Sequence, residues 1–438
     1  MLIKSATRNL FLTGLLMAAA MTGLSSCSDS NVARPDEDVN DGKITLALHI
    51  TPLRTSRVTG STNTDMEMVK SLRIVILNDQ YVECNKLVTF PGNGVPVAQM
   101  NYDYLWQTVP GTKTFYLIAN EESVNGLQYQ FDEGATPPEG PYPSTLTDLC
   151  ETYLPDSDVA ISGDDFETMI NAVYFQPDYT AQSGNLYLPY ISRYTEQQAL
   201  PGASEQGGVG VTDIKMYMVP VATKFLFNFV NWRPDPVEVT GISIDNIDDN
   251  NFLLARLAGS EIEKNFEGTS YYWVDWLAKV SEASQSATGY YENEEFNGIN
   301  GWITSYSMPT ASTLATSTLF STEQGESYMV PGAQDEETPS NLAIGPFYQP
   351  ESKNLVQNTD ASGQLITFQQ YYLTIGLNDT DPNSTAPDFS GIGINNLQAL
   401  FRNTNVVINI TMRGGDIEIY AEIADWVPAT ANGWVIED

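Results

Sequence analysis

From residue 43 to residue 50 apolar and polar side chains alternate, with Ile44, Leu46, Leu48 and Ile50 on one face and Thr45, Ala47 and His49 on the other. A period of two is that of a strand with one buried face. Runs rich in Val, Ile, Tyr and Phe predict further strands at 71–77, 113–119, 216–221, 224–230, 237–244, 370–377, 406–412 and 416–427. Short helices are read at 144–153 and 393–401, and the aromatic segment 271–279 fits either type. No long 3.6-residue period occurs, so the chain is mainly β. The polar stretches 281–300 and 325–340 read as loops.

The first 27 residues follow a different pattern. Lys4 and Arg8 precede an apolar run from Leu10 to Leu24 that is too short to span a bilayer, and Leu24-Ser25-Ser26-Cys27 fits a lipoprotein cleavage box. Cys27 is thus expected to carry lipid and to hold the precursor at the outer membrane. Residues 28–42 form an acidic tether. A chain of 438 residues exceeds what one core usually holds. Two domains are expected, 43–219 and 220–427, divided after the Gly- and Gln-rich stretch 197–210, with a tail at 428–438. Residues 51–63 have a turn composition that exposes Arg54 and Arg57 to proteases.

Charge narrows the partners. The chain has 20 basic and 55 acidic residues; loss of Lys4 and Arg8 with the signal leaves 18 basic ones. Such a surface repels phosphate backbones, so nucleic acid is excluded as a partner. With Cys27 assigned to lipid, Cys84 and Cys150 remain, either as one disulfide or as two buried thiols.

Little catalytic chemistry is encoded. The single histidine, His49, lies on the polar face of the first strand and reads as a surface residue. No two-histidine metal site and no phosphate-binding glycine loop is present, and no acidic pair is singled out by its spacing. Asp379, Asp381 and Asn383 imitate the start of a calcium loop, but Ser384 stands where glycine is needed and the bidentate Glu is missing. That segment and the cluster from Asp248 to Asn251 read as polar turns. The expectation is a protein without catalytic activity, cofactor or metal. Trp273, Trp276 and Trp302 are candidates for a sugar platform, although most aromatics of a sandwich fill its core.

Several segments, in order, resemble the fimbrillins, the major fimbrial subunits or type V pilins of Gram-negative oral and gut anaerobes. They are the lipobox, the first strand with Arg57, Val109-Pro110-Gly111 leading into Tyr116 to Asn120, the join from Pro220 to Lys224, Phe401-Arg402-Asn403, and the paired strands ending in Ala424-Asp425-Trp426-Val427. The resemblance implies two transthyretin-like β-sandwich domains with Greek-key-like strands and few short helices. It also implies cleavage by an Arg-specific protease at Arg57, with Arg54 as the alternative site. Loss of the strand bearing Ile44, Leu46, Leu48 and Ile50 is then expected to strip one edge from the N-terminal sandwich. A replacement strand would come from another subunit's tail, through Trp434 and Ile436. The implied protein is a cell-surface fimbrial shaft subunit whose partners are identical or other fimbrial subunits, the protease and an adhesion target. The alternatives are a tip or anchor subunit, or a surface glycan-binding lipoprotein.

Overall fold

The computed structural model describes residues 44–424 apart from 53–64, 79–80, 155–160, 180–186, 200–210, 258–262, 267–268, 273–305, 353–357, 360–364, 368–370, 380–388, 395–399 and 415. The protein is mainly β, as expected, and strand pairing divides it into two halves.

The N-terminal half comprises β1 (Ile44–Pro52), β2 (Ser71–Asn78), β3 (Tyr81–Thr89), β4 (Tyr102–Thr108) and β5 (Gly111–Ala119). Helices α1 (Leu146–Tyr153) and α2 (Asp164–Ala172) follow, and β6 (Tyr190–Ala199) and β7 (Val211–Met218) complete it. One sheet has the order β7-β1-β4 and the other β6-β5-β2-β3. β2 explains the layering. Its residues Leu72, Ile74 and Ile76 pack toward the first sheet, while Val75 and Leu77 pack under the helices, so both faces are apolar. The helices cover the second sheet with Leu146, Leu149, Phe166, Met169 and Ile170. Thr145 caps α1 by accepting from Asp148 N. Arg73, buried on that side, donates two bonds of 2.6 and 2.7 Å to Glu121.

The C-terminal half comprises β8 (Thr223–Asn231), β9 (Val237–Asp248), β10 (Leu314–Ser321), β11 (Ser340–Gln349), β12 (Tyr371–Asp379), β13 (Phe389–Ile394), β14 (Asn405–Arg413) and β15 (Asp416–Ala424). Its sheets are β11-β8-β14-β15 and β10-β9-β12-β13. Phe225, Phe227 and Phe229 of β8 meet Ile242 and Ile244 of β9 and Leu373 and Ile375 of β12 in one core.

Short contacts tie the halves together. Val173–Phe175 pairs with Asn251–Phe252. Arg402 is fully buried and donates to Glu351 and to the carbonyls of Leu253 (2.6 Å) and Phe252 (2.7 Å), while neighbouring Phe401 enters the N-terminal core. Lys224 Nζ donates to Glu67 at 2.6 Å, and Tyr348 Oη donates to the same carboxylate at 3.0 Å.

The sequence expectations need some correction. The strand expected at 216–221 runs from Val211 to Met218, and the 393–401 helix is replaced at its start by the end of β13. The cluster from Asp248 to Asn251 includes two strand ends held by Ser312, Thr313 and Ser352, because those hydroxyls and amides bond the carboxylates of Asp248 and Asp249. The loop expected at 325–340 contains a strand, Tyr328–Val330, paired with β9. Of the two alternatives open for Cys84 and Cys150, the structure has the buried free thiols: Cys84 faces the core between the two sheets, and Cys150 sits on α1 beyond the second sheet.

Candidate functional site: the slot of the first strand

β1 is the middle strand of its sheet. It runs parallel to β7, from Thr45↔Val211 to Pro52↔Met218, and antiparallel to β4, from Ile44↔Thr108 to Ile50↔Tyr102. The expectation that its loss strips an edge is therefore corrected: its loss leaves a slot with two walls. Alternation along one strand reports which face is buried, but not whether partners lie on one side or both.

The inner face of β1 is dry. Ile44 is 3% exposed, and Leu46, Leu48 and Ile50 are fully buried. Full burial of such side chains stabilises by about 1.5–3 kcal/mol each, hence about 6–12 kcal/mol for the four. That is comparable with the whole stability of a typical domain, roughly 5–15 kcal/mol. An empty slot would expose the apolar residues beneath β1, among them Leu72, Ile74 and Ile76 of β2, together with two rows of unpaired backbone groups.

Both walls have anchors of their own. On β4, Thr108 Oγ1 donates to Glu83 at 2.5 Å, Lys113 reaches the same carboxylate at 2.9 Å, and Tyr104 Oη lies 3.6 Å from Cys84 Sγ. Tyr102 packs edge-on to Phe90 at 5.9 Å. On β7, Tyr217 N donates to Tyr194 Oη at 2.7 Å, and Ser192 Oγ donates to Tyr217 O at 2.6 Å. None of these contacts involves β1.

The segment beyond Pro52 resumes at Asp65–Glu67, where Glu67 is locked to Lys224 and Tyr348 and Met66 O accepts from Leu188 N at 2.9 Å. The segment that follows residues 53–64 thus has anchors of its own. Arg54, Arg57, Cys27, Trp434, Ile436, Trp273, Trp276 and Trp302 lie outside the described residues.

The outer face carries a polar cluster that the sequence did not reveal. His49 lies between two carboxylates, with Nδ1 2.7 Å from Asp103 Oδ1 on β4 and Nε2 3.3 Å from Asp213 Oδ1 on β7. These side-chain bonds, Asp103 before Asp213, raise the imidazole pKa above its usual value. No group of His, Cys, Asp and Glu able to hold a metal occurs among the described residues.

The residues that carry the sequence resemblance act as supports. Asn120, in the left-handed region at φ 56°, donates to Met68 O at 2.9 Å and Leu188 O at 2.7 Å. Tyr116 Oη donates to Glu167 at 2.7 Å. Thr223 Oγ1 donates to Phe401 O at 3.0 Å, which joins the Pro220–Lys224 and Phe401–Asn403 segments.

No family model matches the chain, and no curated protein matches it in sequence. Similar solved structures include fimbrial proteins and putative cell adhesion proteins. The tip fimbrial protein Mfa3 from Porphyromonas gingivalis, with a C-terminal truncation, aligns with TM-score 0.42 and 11% identity over 88% of this chain and 100% of its own. A fimbrilin (fimA) from Porphyromonas gingivalis W83 aligns with TM-score 0.38 and 14% identity over 88% and 98%. A fimbrial assembly protein from Parabacteroides distasonis aligns with TM-score 0.35 and 8% identity over 87% and 96%.

Proposed function

We propose that the protein is a cell-surface fimbrial subunit of the shaft type, in which β1 is a temporary occupant of the slot between β4 and β7. The observation that carries this reading is the placement of β1: central, apolar inside, between walls that also have anchors of their own, and followed in the chain by the stretch 53–64 with Arg54 and Arg57. In this reading the precursor is exported and lipidated at Cys27. An Arg-specific protease then cuts at Arg57, or at Arg54, and β1 leaves with the lipid.

The vacated slot takes a strand from a second subunit. Main-chain bonds supply affinity, and alternate side chains fix the register. Trp434 and Ile436 are the inward-pointing candidates of the tail 428–438. A head-to-tail contact of this kind does not close on itself and so propagates as a filament. The subunit is structural and has no catalytic role.

The test is to treat the chain from Ser28 onward with an Arg-specific protease, sequence the new N terminus, and run the product unheated on a denaturing gel. The expected result is a Val58 start and a ladder of detergent-resistant oligomers, because strand-inserted subunits separate slowly. Truncation after Val427 should abolish the ladder. A ladder that survives this truncation refutes the donor tail, and an uncut product refutes the maturation step.

A further inference from the structure

We propose that His49, Asp103 and Asp213 form a proton-operated latch that retains β1 in its slot when the imidazole is charged and loosens the strand when it is neutral. The proposal deepens the reading of β1 as a strand that leaves, and rests on that reading for its biological consequence. The latch itself is a property of the intact chain.

Its basis is donor arithmetic. A neutral imidazole has one N–H and one acceptor nitrogen, whereas an imidazolium has two N–H groups. Both ring nitrogens of His49 face a carboxylate oxygen, at 2.7 and 3.3 Å. Only the charged ring can donate to both walls at once; the neutral ring must point a lone pair at one carboxylate. The two acceptors belong to β4 and β7, so the charged ring bridges the whole sheet through the strand between them.

The surroundings do not offer a substitute. On the outer face β1 presents Thr45, Ala47 and Thr51 beside His49, none of them ionisable. β4 presents Asp103, with Leu105 and Gln107 further along. β7 presents Asp213, Lys215 and Tyr217, and Lys215 is the Cα partner of His49. The two bonded carboxylates set the direction of the imidazole pKa, with burial acting against them. The corresponding outward position of β8 offers a contrast, since Asn228 Nδ2 donates to Asn409 Oδ1 at 3.2 Å and cannot titrate.

The sign is fixed by the raised pKa. The charged latch is fully present below the ordinary histidine range, near 6.5, and is lost as pH rises through the higher folded-state value. Acid therefore retains β1, and neutral to alkaline conditions ease its departure. Once β1 has gone, Asp103 and Asp213 face an empty position, so an incoming strand with an acidic side chain there is disfavoured.

The experiment is peptide-resolved hydrogen exchange of the intact chain from Ser28 onward at pH 6 and pH 8. Exchange of residues 44–52 is corrected for intrinsic chemical rates and expressed relative to β2. The native protein should open β1 several-fold more often at pH 8. His49→Gln should open at the pH 8 level at both values, and His49→Lys, which keeps a fixed cation, should remain closed at both. A native ratio that does not change with pH, or a His49→Gln protein that behaves as native, overturns the latch. Recovery of the cleaved N-terminal fragment still bound, with the pH-dependent exchange intact, would refute departure of β1 and leave the latch standing.

Discussion

The two halves open with the same local arrangement, and they part over what holds it. β1 and β8 are each the first strand of a half, each central in a sheet, with an antiparallel neighbour on one side (β4, β11) and a parallel one on the other (β7, β14). β8 is built in: Phe225, Phe227 and Phe229 fill its inner face, Lys224 is pinned by Glu67, and the chain is anchored at both ends, by Ala222 O and Met412 O to Asn403 N and Trp232 N. β1 has four aliphatic side chains inside and no buried charge, and is followed in the chain by residues 53–64 with Arg54 and Arg57. The comparison separates two properties that a strand's burial alone confounds, how much it stabilises and whether it can leave. Position in the sheet supplies the first, and chain connection decides the second.

The comparison breaks most severely at the joint between the halves. Glu67→Ala leaves the Lys224 ammonium buried without its carboxylate, and loss of one partner from a buried pair costs about 3–5 kcal/mol. Burial already lowers the lysine pKa, with Glu67 acting against that shift. Urea unfolding should show a lower midpoint for both halves together, since Glu67 follows the loop and Lys224 starts β8.

A core pair sharpens the contrast. Phe227→Ala should cost about 3–5 kcal/mol in precursor and cleaved protein alike. Leu48→Ala should cost about 2–5 kcal/mol in the precursor and nothing measurable once β1 has been removed, as judged by denaturant midpoints before and after cleavage. An equal loss in both forms would place β1 with β8 as a permanent strand.

These contrasts were partly legible in the sequence. β1 stood out because water on one face and core on the other leave a clean period of two, and β8 showed its three phenylalanines in the same way. β4 carries that period too, in Tyr102, Tyr104 and Trp106, but exposed Leu105 between them blurs the pattern. β3 was missed because it is an edge strand with Glu83 and Lys86 interspersed. In α2 the signal was an acidic first turn followed by Phe166, Met169 and Ile170 at helical spacing, within nine residues. The slot itself was not legible. Its walls lie 54 and 164 residues from His49, as measured by Asp103 and Asp213, and nothing in a local pattern announces partners that far away. The same holds for Arg402, whose partners Glu351, Phe252 and Leu253 are distant in sequence.

The thiols report the two layers of the N-terminal half separately. Burial pushes Cys84 up to about 11 and raises Cys150 further. At pH 8 a pKa of about 11 leaves roughly one thiol in a thousand ionised, so neither should react readily with iodoacetamide in the precursor. Cys84 shares its core with β1, whereas Cys150 is shielded by α1 and the second sheet. After cleavage and loss of β1, mass spectrometry should find Cys84 alkylated faster and Cys150 unchanged. Equal acceleration of both would mean that the whole half loosens rather than the slot alone.

The smallest expected effect tests the outer faces. Asn228→Ala removes one part-buried hydrogen bond to Asn409, worth about 0.5–1.5 kcal/mol, and should lower stability equally at pH 6 and pH 8 because no titrating group is involved. His49→Gln removes an exposed ion pair, for which about 0–1 kcal/mol is typical, and its cost should be confined to the acid side. Below the ordinary histidine range the native protein has the full bonus of the raised pKa, and above the folded value it has none, so the two unfolding curves converge as pH rises. Denaturant midpoints at several pH values read both at once. If His49→Gln were the flat curve and Asn228→Ala the sloping one, the chemistry of the two central strands would be the reverse of what their partners dictate.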